Sequence, residues 1–303
     1  MPDPRTAPQL GVFLTPDAER LPAVRELARA ADVAGVDLIG IQDHPYQRRF
    51  VDSWALMATI LAETERITVF PDVANLPLRQ PAVLAKTAAT LDLLSGGRFE
   101  LGLGAGGFWD AIEAMGGPRR TPGESVDALI EAIEVIRLMW SGDRGLRRDG
   151  EHYRLAGVHG GPRPAHPIGI WLGAYGPRML RVTGHRADGW IPSLGFADRD
   201  TLRAGHRRID EAARDAGRDP ATIRRLLNVS GVVLPAGEPS RELQGKGFSS
   251  GAFAGDPAAW ADRVADLAQD GFDGIVLAFA EETVDQVRRW GEEVGPLVRE
   301  RLG

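Results

Sequence analysis

Short apolar runs alternate with amphipathic segments along the whole chain. An apolar run of about four to eight residues predicts a buried strand, whereas apolar residues spaced three and four apart predict one face of a helix. Helical spacing is clearest in Leu21–Ala34, Ser53–Glu63, Pro81–Leu94 and Pro122–Trp140. The apolar runs predict strands at Gln9–Leu14, Val36–Ile41, Ile67–Val73, Arg98–Leu103, Ile168–Leu172, Gly189–Ile191, Leu227–Leu234 and Gly274–Phe279. The pattern therefore predicts about eight β–α pairs.

Consecutive β–α pairs favour one closed architecture. Their strands run parallel with right-handed crossovers, and eight pairs in about 300 residues favour an α/β (β/α)8 TIM barrel over an open sheet. The rhythm breaks at LRRDGEHYRL, which predicts a hairpin turning at Asp149-Gly150, and again across 235–255. We therefore expect one domain over residues 1–303, with short insertions after strands four and seven. In such a barrel the chemistry gathers in the loops that follow the strands.

Composition narrows the class of protein. The 303 residues are 43% hydrophobic and 26% charged, with a formal net charge of -6 and no cysteine. The acidic balance argues against a general nucleic-acid or anionic-membrane surface. The absence of cysteine excludes thiolate catalysis and cysteine-ligated metals, and the six histidines show no metal-binding spacing. The N-terminal residues lack the basic, then apolar, pattern of a signal peptide, and no apolar run is long enough to span a membrane. We therefore expect a cytoplasmic protein without a metal.

The second predicted strand ends in GIQDHPY, which places Asp43-His44 at the expected mouth of the barrel. An imidazole near its ordinary pKa can act as acid or base on a bound molecule. The alternative is structural, with Asp43 capping backbone amides and His44 stacking on a neighbour. Pro45 stiffens the backbone directly after the pair.

The loop after the third strand, PDVANLPLRQP, carries three prolines that fix its path. Arg79 in this loop suits an anionic ligand, or is an ordinary surface arginine.

Gly102–Gly107 matches the pattern GxGxxG after the fourth strand. A dinucleotide fold places this pattern after its first strand, with an acid ending the next strand about 20 residues later. Here the acids at that distance, Glu124 and Asp127, lie in a predicted helix, so the glycines instead predict a loop where a flat ring or phosphate meets backbone amides. Phe108 and Trp109 either wall such a pocket or belong to the core.

A second glycine loop, GAYGPR, follows the fifth strand at Gly173–Arg178. Gly176 and Pro177 begin a helix whose free amides suit a phosphate, and Arg178 and Arg181 add charge. The alternative is the start of a helix and nothing more. In the glycine-rich segment after strand seven, Lys246 and Phe248 are candidates for a lid or phosphate clamp.

Taken together, these strings resemble one family. VDLIGIQDHP, ITVFPDVANLPLRQPAVLAK, TLDLLSGGRFELGLGAGG and PIGIWLGAYGPRMLRVTGHRADGW look like the luciferase-like monooxygenase superfamily, and the resemblance is strongest over Gly35–Gly107. Members of that family bind FMN or the deazaflavin F420 at the mouth of a (β/α)8 barrel. The resemblance implies a homodimeric oxidoreductase that transfers a hydride between F420 and a small organic substrate.

The resemblance also implies roles for individual residues. The implied catalytic residues are His44, which matches the histidine beside the ring, and Asp43, which matches the acid preceding it in the F420 branch. Asp72-Val73 matches a non-proline cis peptide that supports the ring. The implied cofactor-binding residues are Asp72, Val73, Ala74, Asn75, Ala105, Gly106, Gly107, Gly173, Ala174, Tyr175, Gly176, Pro177 and Arg178. The implied cation partners of the anionic tail of F420 are Arg79, Arg178, Arg181 and Lys246.

Several alternatives stay open. F420 is preferred because Ala105 stands where FMN-dependent relatives often carry arginine, but an FMN-dependent monooxygenase using O2 remains the alternative. The alternative from another class of protein is a barrel that binds a flavin or deazaflavin without catalysing a reaction. A Schiff-base aldolase or an isomerase is disfavoured because the only lysines are Lys86, in a helix, and Lys246. The second acid of the sugar-phosphate dehydrogenase branch has no obvious match, and only Asp110 or Glu113 stands in that neighbourhood. The expected apolar pocket draws on Phe13, Tyr46, Phe50, Trp54, Trp109 and Phe196.

Overall fold

The computed structural model describes residues 7–245 and 250–302. The strands are β1 Gln9–Leu14, β2 Leu38–Ile41, β3 Thr68–Pro71, β4 Ala74–Asn75, β5 Leu101–Gly104, β6 Leu146–Asp149, β7 Arg154–Val158, β8 Ile170–Leu172, β9 Gly189–Trp190, β10 Arg224–Val233, β11 Arg241–Glu242, β12 Phe253–Gly255 and β13 Gly274–Phe279. The α-helices are α1 Leu21–Val33, α2 Ser53–Glu63, α3 Pro81–Ser95, α4 Trp109–Ala114, α5 Pro122–Ser141, α6 Pro177–Arg186, α7 Arg199–Asp215, α8 Pro257–Gln269, α9 Val284–Arg288 and α10 Gly295–Leu302.

Parallel strands form a barrel in the order β3-β2-β1-β13-β10-β9-β8-β5-β4. The two ends of this path meet through a parallel bridge between Val69 of β3 and Phe99, just before β5. At that bridge the Val69 amide donates to the Arg98 carbonyl at 3.0 Å, and the Glu100 amide donates to the Val69 carbonyl at 3.2 Å. The predicted TIM barrel is therefore confirmed, with β4 as a short ninth strand that pairs with β5.

Apolar side chains fill both sides of the barrel wall. The inner cluster lies on the strands themselves and consists of Phe13, Leu38, Phe70, Trp171, Ile191, Leu226 and Val276. A much larger cluster lies between the strands and the surrounding helices. Among the residues described, no helix combines the length and the apolar character needed to cross a membrane.

Local sequence signals set the elements that frame the site. The α5 helix begins with a capping box, in which Thr121 caps the Glu124 amide and the Glu124 carboxylate accepts from the Thr121 amide. The hairpin β6–β7 follows α5 and turns after Asp149, as predicted. The Glu131 carboxylate fastens that turn to α5, because it accepts from three successive backbone amides, those of residues 151–153.

A second clamp holds the chain between the hairpin and β8 at the end of the barrel opposite the mouth. The fully buried Asp92 carboxylate accepts from the Ala165 and His166 amides and lies 2.7 Å from His166 Nδ1. On the other side of the imidazole, Glu100 lies 3.4 Å from Nε2. Hydrogen bonding to Glu100, followed by the charges of both acids, raises the pKa of His166 against the opposing effect of burial.

Candidate functional site

His44 follows β2 at the mouth of the barrel. Its ring stacks on Tyr46 with centroids 5.3 Å apart and meets the edge of Phe108 at 5.4 Å. Its Nδ1 lies 3.1 Å from Gln42 Nε2, which leaves Nε2 for a bound molecule. Burial lowers the pKa of His44 and outweighs the nearby Asp43 charge, which raises it. The imidazole is therefore neutral at neutral pH and able to accept a proton.

Asp43, beside it, has a side chain with no exposed surface. Arg79 donates to both carboxylate oxygens, from Nε at 2.8 Å and from Nη2 at 2.7 Å. The Asn75 amide and the Trp54 indole also donate to Oδ2, at 3.1 and 3.4 Å. These four donors fix the carboxylate inside the protein, so its geometry suits holding the ends of β2 and β4 together.

The guanidinium of Arg79, which the sequence offers either to an anionic ligand or to solvent, is engaged in ion pairs within the chain. It bridges Asp43 and Asp52, 2.9 Å away, and lies over the Trp54 ring at 5.4 Å. Only 19% of its side chain is exposed. Arg79 is thus part of the framework beneath the mouth.

The aromatic residues expected in the pocket differ in burial, and Tyr46, Phe50 and Trp109 are partly buried. Phe13 and Trp54 are buried, the first inside the barrel and the second beside Asp43. Phe108 and Phe196 are exposed to 63% and 60%, and Tyr175, at 41%, meets Phe196 edge-on. Exposed rings of this size at a barrel mouth are typical of a surface that receives a flat or apolar ligand.

The Asp72-Val73 peptide is cis, as the resemblance implies. Val73 lies against glycines at the ends of two neighbouring strands. A Cβ on Gly104 would stand 2.7 Å from Val73 Cγ2, and one on Gly173 would stand 3.3 Å from it. A Cβ on Gly102 would stand 2.0 Å from the Pro71 carbonyl oxygen. Gly102, Gly104 and Gly173 therefore make room for the chain around Val73. The sequence pattern did not predict this role for the glycines.

Two other loop glycines present bare backbone to open space. A Cβ on Gly107 or on Gly176 would meet nothing within 4 Å. Gly106 differs, because it has φ of +101° and its Cβ would meet Pro77 and Trp109. Gly176 is the N-cap of α6 without a side-chain cap, so the first amides of that helix remain open to an anion.

The basic residues predicted to add charge near the start of α6 differ in their exposure and their partners. Arg178 is half exposed and pairs with Asp127 while donating to the Gly123 carbonyl at 3.2 Å. Arg181 is exposed on the same helix. Lys246 and Phe248 lie outside the described residues.

Asp110 and Glu113, the candidates for a second acid, are both exposed and both pair with Arg119. No sequence pattern indicates this pairing, because the three residues share no motif.

A polar pair that the sequence did not single out lies across the barrel. Asn228 Nδ2 donates to Asp72 Oδ1 at 3.2 Å and to Ser193 Oγ at 3.4 Å. Among the described residues, Asp72 Oδ2 and Asn228 Oδ1 are buried and have no hydrogen-bond partner. Burial raises the pKa of Asp72 to about 7, against the hydrogen bond from Asn228, which lowers it.

The sequence is similar to those of known proteins that carry names of F420-dependent enzymes. The chain is 32% identical over 243 residues to the F420-dependent hydroxymycolic acid dehydrogenase of Mycobacterium tuberculosis, covering 77% of this chain and 65% of that protein. It is also 32% identical over 217 residues to the F420-dependent glucose-6-phosphate dehydrogenase of Nocardia farcinica, covering 67% and 62%. The aligned segments thus span less than two thirds of these two relatives.

Solved structures share the fold. An F420-dependent secondary alcohol dehydrogenase in complex with an F420-acetone adduct superposes with a TM-score of 0.84 at 20% identity, covering 96% of this chain and 99% of that one. A riboflavin lyase with modified FMN and riboflavin superposes with a TM-score of 0.80 at 17% identity, covering 97% and 92%. The model of one family, luciferase-like monooxygenase, matches residues 6–273. Sequence, barrel and match together show that the chain belongs to the luciferase-like monooxygenase family.

Proposed function

We propose that this protein is an oxidoreductase that transfers a hydride between F420, bound at the barrel mouth, and a small organic substrate. The observation that carries the proposal is the neutral His44 imidazole, which lies between aromatic rings at the end of β2. Two aligned relatives carry names of F420-dependent dehydrogenases, which supports the choice of cofactor.

The residues at the mouth fit such a cofactor. Backbone free of side chains at Gly107 and Gly176 allows close approach of a ring and a phosphate. The uncapped start of α6 suits the phosphate, with the loop Gly173–Arg178 around it. Asp72–Asn75 and Ala105–Gly107 are the segments we assign to the ring. Arg79 is mostly buried and paired with two acids, so the exposed Arg181, and Arg178 with its half-exposed pairing to Asp127, are the better candidates for contact with an anionic tail.

When bound, the deazaflavin ring supplies a carbon that takes up or returns a hydride. An alcohol that loses a hydride from carbon must also lose the proton on its oxygen. His44 Nε2 accepts that proton when the hydrogen of the neutral ring is on Nδ1 and is donated to the side-chain amide oxygen of Gln42, whose amide group faces Nδ1. In the reverse direction the imidazolium returns it. Asp43 touches no ligand in this scheme, since its role is to hold the end of β2 in place.

FMN with O2 is the second candidate. It is favoured by barrels of the same fold that are described as monooxygenases, one of which superposes with a TM-score of 0.82 at 17% identity. A barrel that binds the cofactor without turnover is the third. A homodimer remains a prediction from the family resemblance.

Fluorescence titration separates these candidates. Purified protein is titrated with F420, its reduced form and FMN, and turnover is then followed with a panel of alcohols and sugar phosphates. We expect tighter binding of F420 than of FMN, and binding without turnover of any substrate would favour the carrier. The matched variants are His44→Ala and His185→Ala, the second on the exposed last turn of α6. No binding of any cofactor overturns the proposal, and turnover unaffected by His44→Ala overturns the role of His44.

A further inference from the structure

Three inward positions form a layer directly above the apolar floor of the barrel. Side chains two residues apart on a strand face the same side, so the register identifies the layer. Leu38, Phe70 and Leu226 belong to the inner apolar cluster. Two residues further toward the mouth on each segment come Gly40, Asp72 and Asn228. Asp72 and Asn228 stand 156 positions apart in the chain, yet they meet across the barrel through the 3.2 Å hydrogen bond.

Gly40 leaves the space that the Asp72 carboxyl fills. A Cβ at position 40 would stand 3.0 Å from Asp72 Oδ2 and 3.1 Å from its Cβ. Any other residue there would crowd the carboxyl. The layer is thus shaped around an acid, in a region that barrels normally fill with apolar side chains.

This acid has few compensating contacts. Its neighbours are Gly40, Asn228, which also binds Ser193, and Tyr175, and none of these residues is charged at neutral pH. Among these neighbours Tyr175 is titratable. Its pKa is raised mainly by burial and in small part by the charge of Asp72. Within the described part of the chain, no arginine, lysine or histidine forms an ion pair with Asp72. A buried carboxyl without an opposite charge is driven toward its neutral form.

We propose that Asp72, held across the barrel by Asn228, is a specificity-determining residue whose charge makes the mouth discriminate between ligands. The neutral acid tolerates an anionic ring above it, and the carboxylate repels one. This inference rests on the proposed function, because it needs a ring bound at the mouth. Oxidised and reduced forms of a redox ring differ in charge, so the protonation state of Asp72 shifts the relative affinity of the two forms.

Binding measurements as a function of pH test the inference directly. Wild type, Asp72→Asn and Asp149→Asn are titrated with oxidised and reduced F420 by fluorescence at several pH values between about 6 and 8.5, a range that brackets the raised pKa. Asp72→Asn keeps the size of the side chain and removes its charge. Asp149→Asn makes the same chemical change at a residue exposed to 88% at the end of β6, in a hairpin outside the proposed site, so it controls for the general effect of charge. The titration of the ligand itself cancels when proteins are compared at the same pH.

We expect Asp72, and not the control residue, to set the preference between oxidised and reduced F420. Above about pH 7 the wild type binds the more anionic form at least about tenfold more weakly than Asp72→Asn does, whereas the two agree near pH 6. Asp149→Asn follows the wild type. Binding with the same pH profile in Asp72→Asn and wild type overturns this inference and leaves the proposed function intact. Absence of binding by every protein overturns both.

Unfolding in urea without ligand provides a second readout. A carboxyl whose folded pKa is raised holds its proton more tightly in the folded protein, so it lowers stability as pH rises toward that pKa. Relative to Asp72→Asn, the wild type should lose stability between about pH 5 and 7. Parallel stability profiles of the two proteins would contradict the neutral acid on which the charge discrimination depends.

Discussion

Replacing Arg79 by Met tests whether the ion pair with Asp43 holds the mouth together. The change removes both bonds to a carboxylate that has no exposed surface, and leaves it only the Asn75 amide and the Trp54 indole as donors. Breaking a buried pair by removing one partner costs about 3–5 kcal/mol. With an m-value of about 3 kcal/mol/M, the urea midpoint falls by about 1–1.7 M. Equilibrium unfolding followed by tryptophan fluorescence measures this shift.

Two further variants decide the cause. Arg119→Met removes an arginine that also pairs with two acids, but at the surface, and should leave the midpoint almost unchanged. Combining Asp43→Asn with Arg79→Met removes the stranded charge and should recover part of the lost stability. A loss below about 1 kcal/mol in Arg79→Met, or no recovery in the double variant, would refute the view that this pair is buried and mutually dependent.

Other expectations follow from the site and the clamp. His44→Ala should retain cofactor binding but lower kcat by about a hundredfold to ten-thousandfold, and steady-state kinetics with an unchanged Kd would support a role in proton transfer. The pKa of folded His166 is raised, first by Glu100 and then by Asp92, so the stabilisation that its charge gains from these two acids is complete below its ordinary pKa and is lost as pH rises through the raised value. His166→Ala should therefore cost more stability at about pH 6 than at about pH 9 in urea unfolding, and equal costs would contradict the clamp. Gly102→Ala, whose Cβ would meet a backbone oxygen, should lower the melting temperature more than Gly104→Ala, whose Cβ would meet a methyl group; the reverse order would show that the chain around Val73 is free to move.

Periodicity was sufficient for the architecture of the barrel. The predicted bounds of Gln9–Leu14 and Gly274–Phe279 match β1 and β13, because these strands are continuous apolar runs. The third strand was predicted to reach Val73, but β3 ends at Pro71 and a separate β4 begins at Ala74. An apolar pattern does not reveal where a chain changes its pairing partner from one neighbour to another.

The site was predictable only in part. His44 stands at a strand end in a recognisable string, so its position at the mouth could be read from the sequence. The partners of Asp43 and Asp72 could not, because they come from distant segments of the chain, at Arg79 and Asn228. Such pairs depend on the three-dimensional closure of the barrel, which a single sequence does not encode as a local pattern.

The position of β1 between β2 and β13 has a consequence for the order of events during synthesis. β1 is synthesised long before β13, its partner along Gln9–Phe13. The Trp290 indole, later still, donates to the Gly11 carbonyl at 3.0 Å. Until residues 274–290 emerge, one edge of β1 lacks its ladder and the apolar lumen is open to solvent. Until then the nascent barrel exposes an unpaired strand edge that can pair with other chains and aggregate. A chaperone that covers such edges would protect it during synthesis.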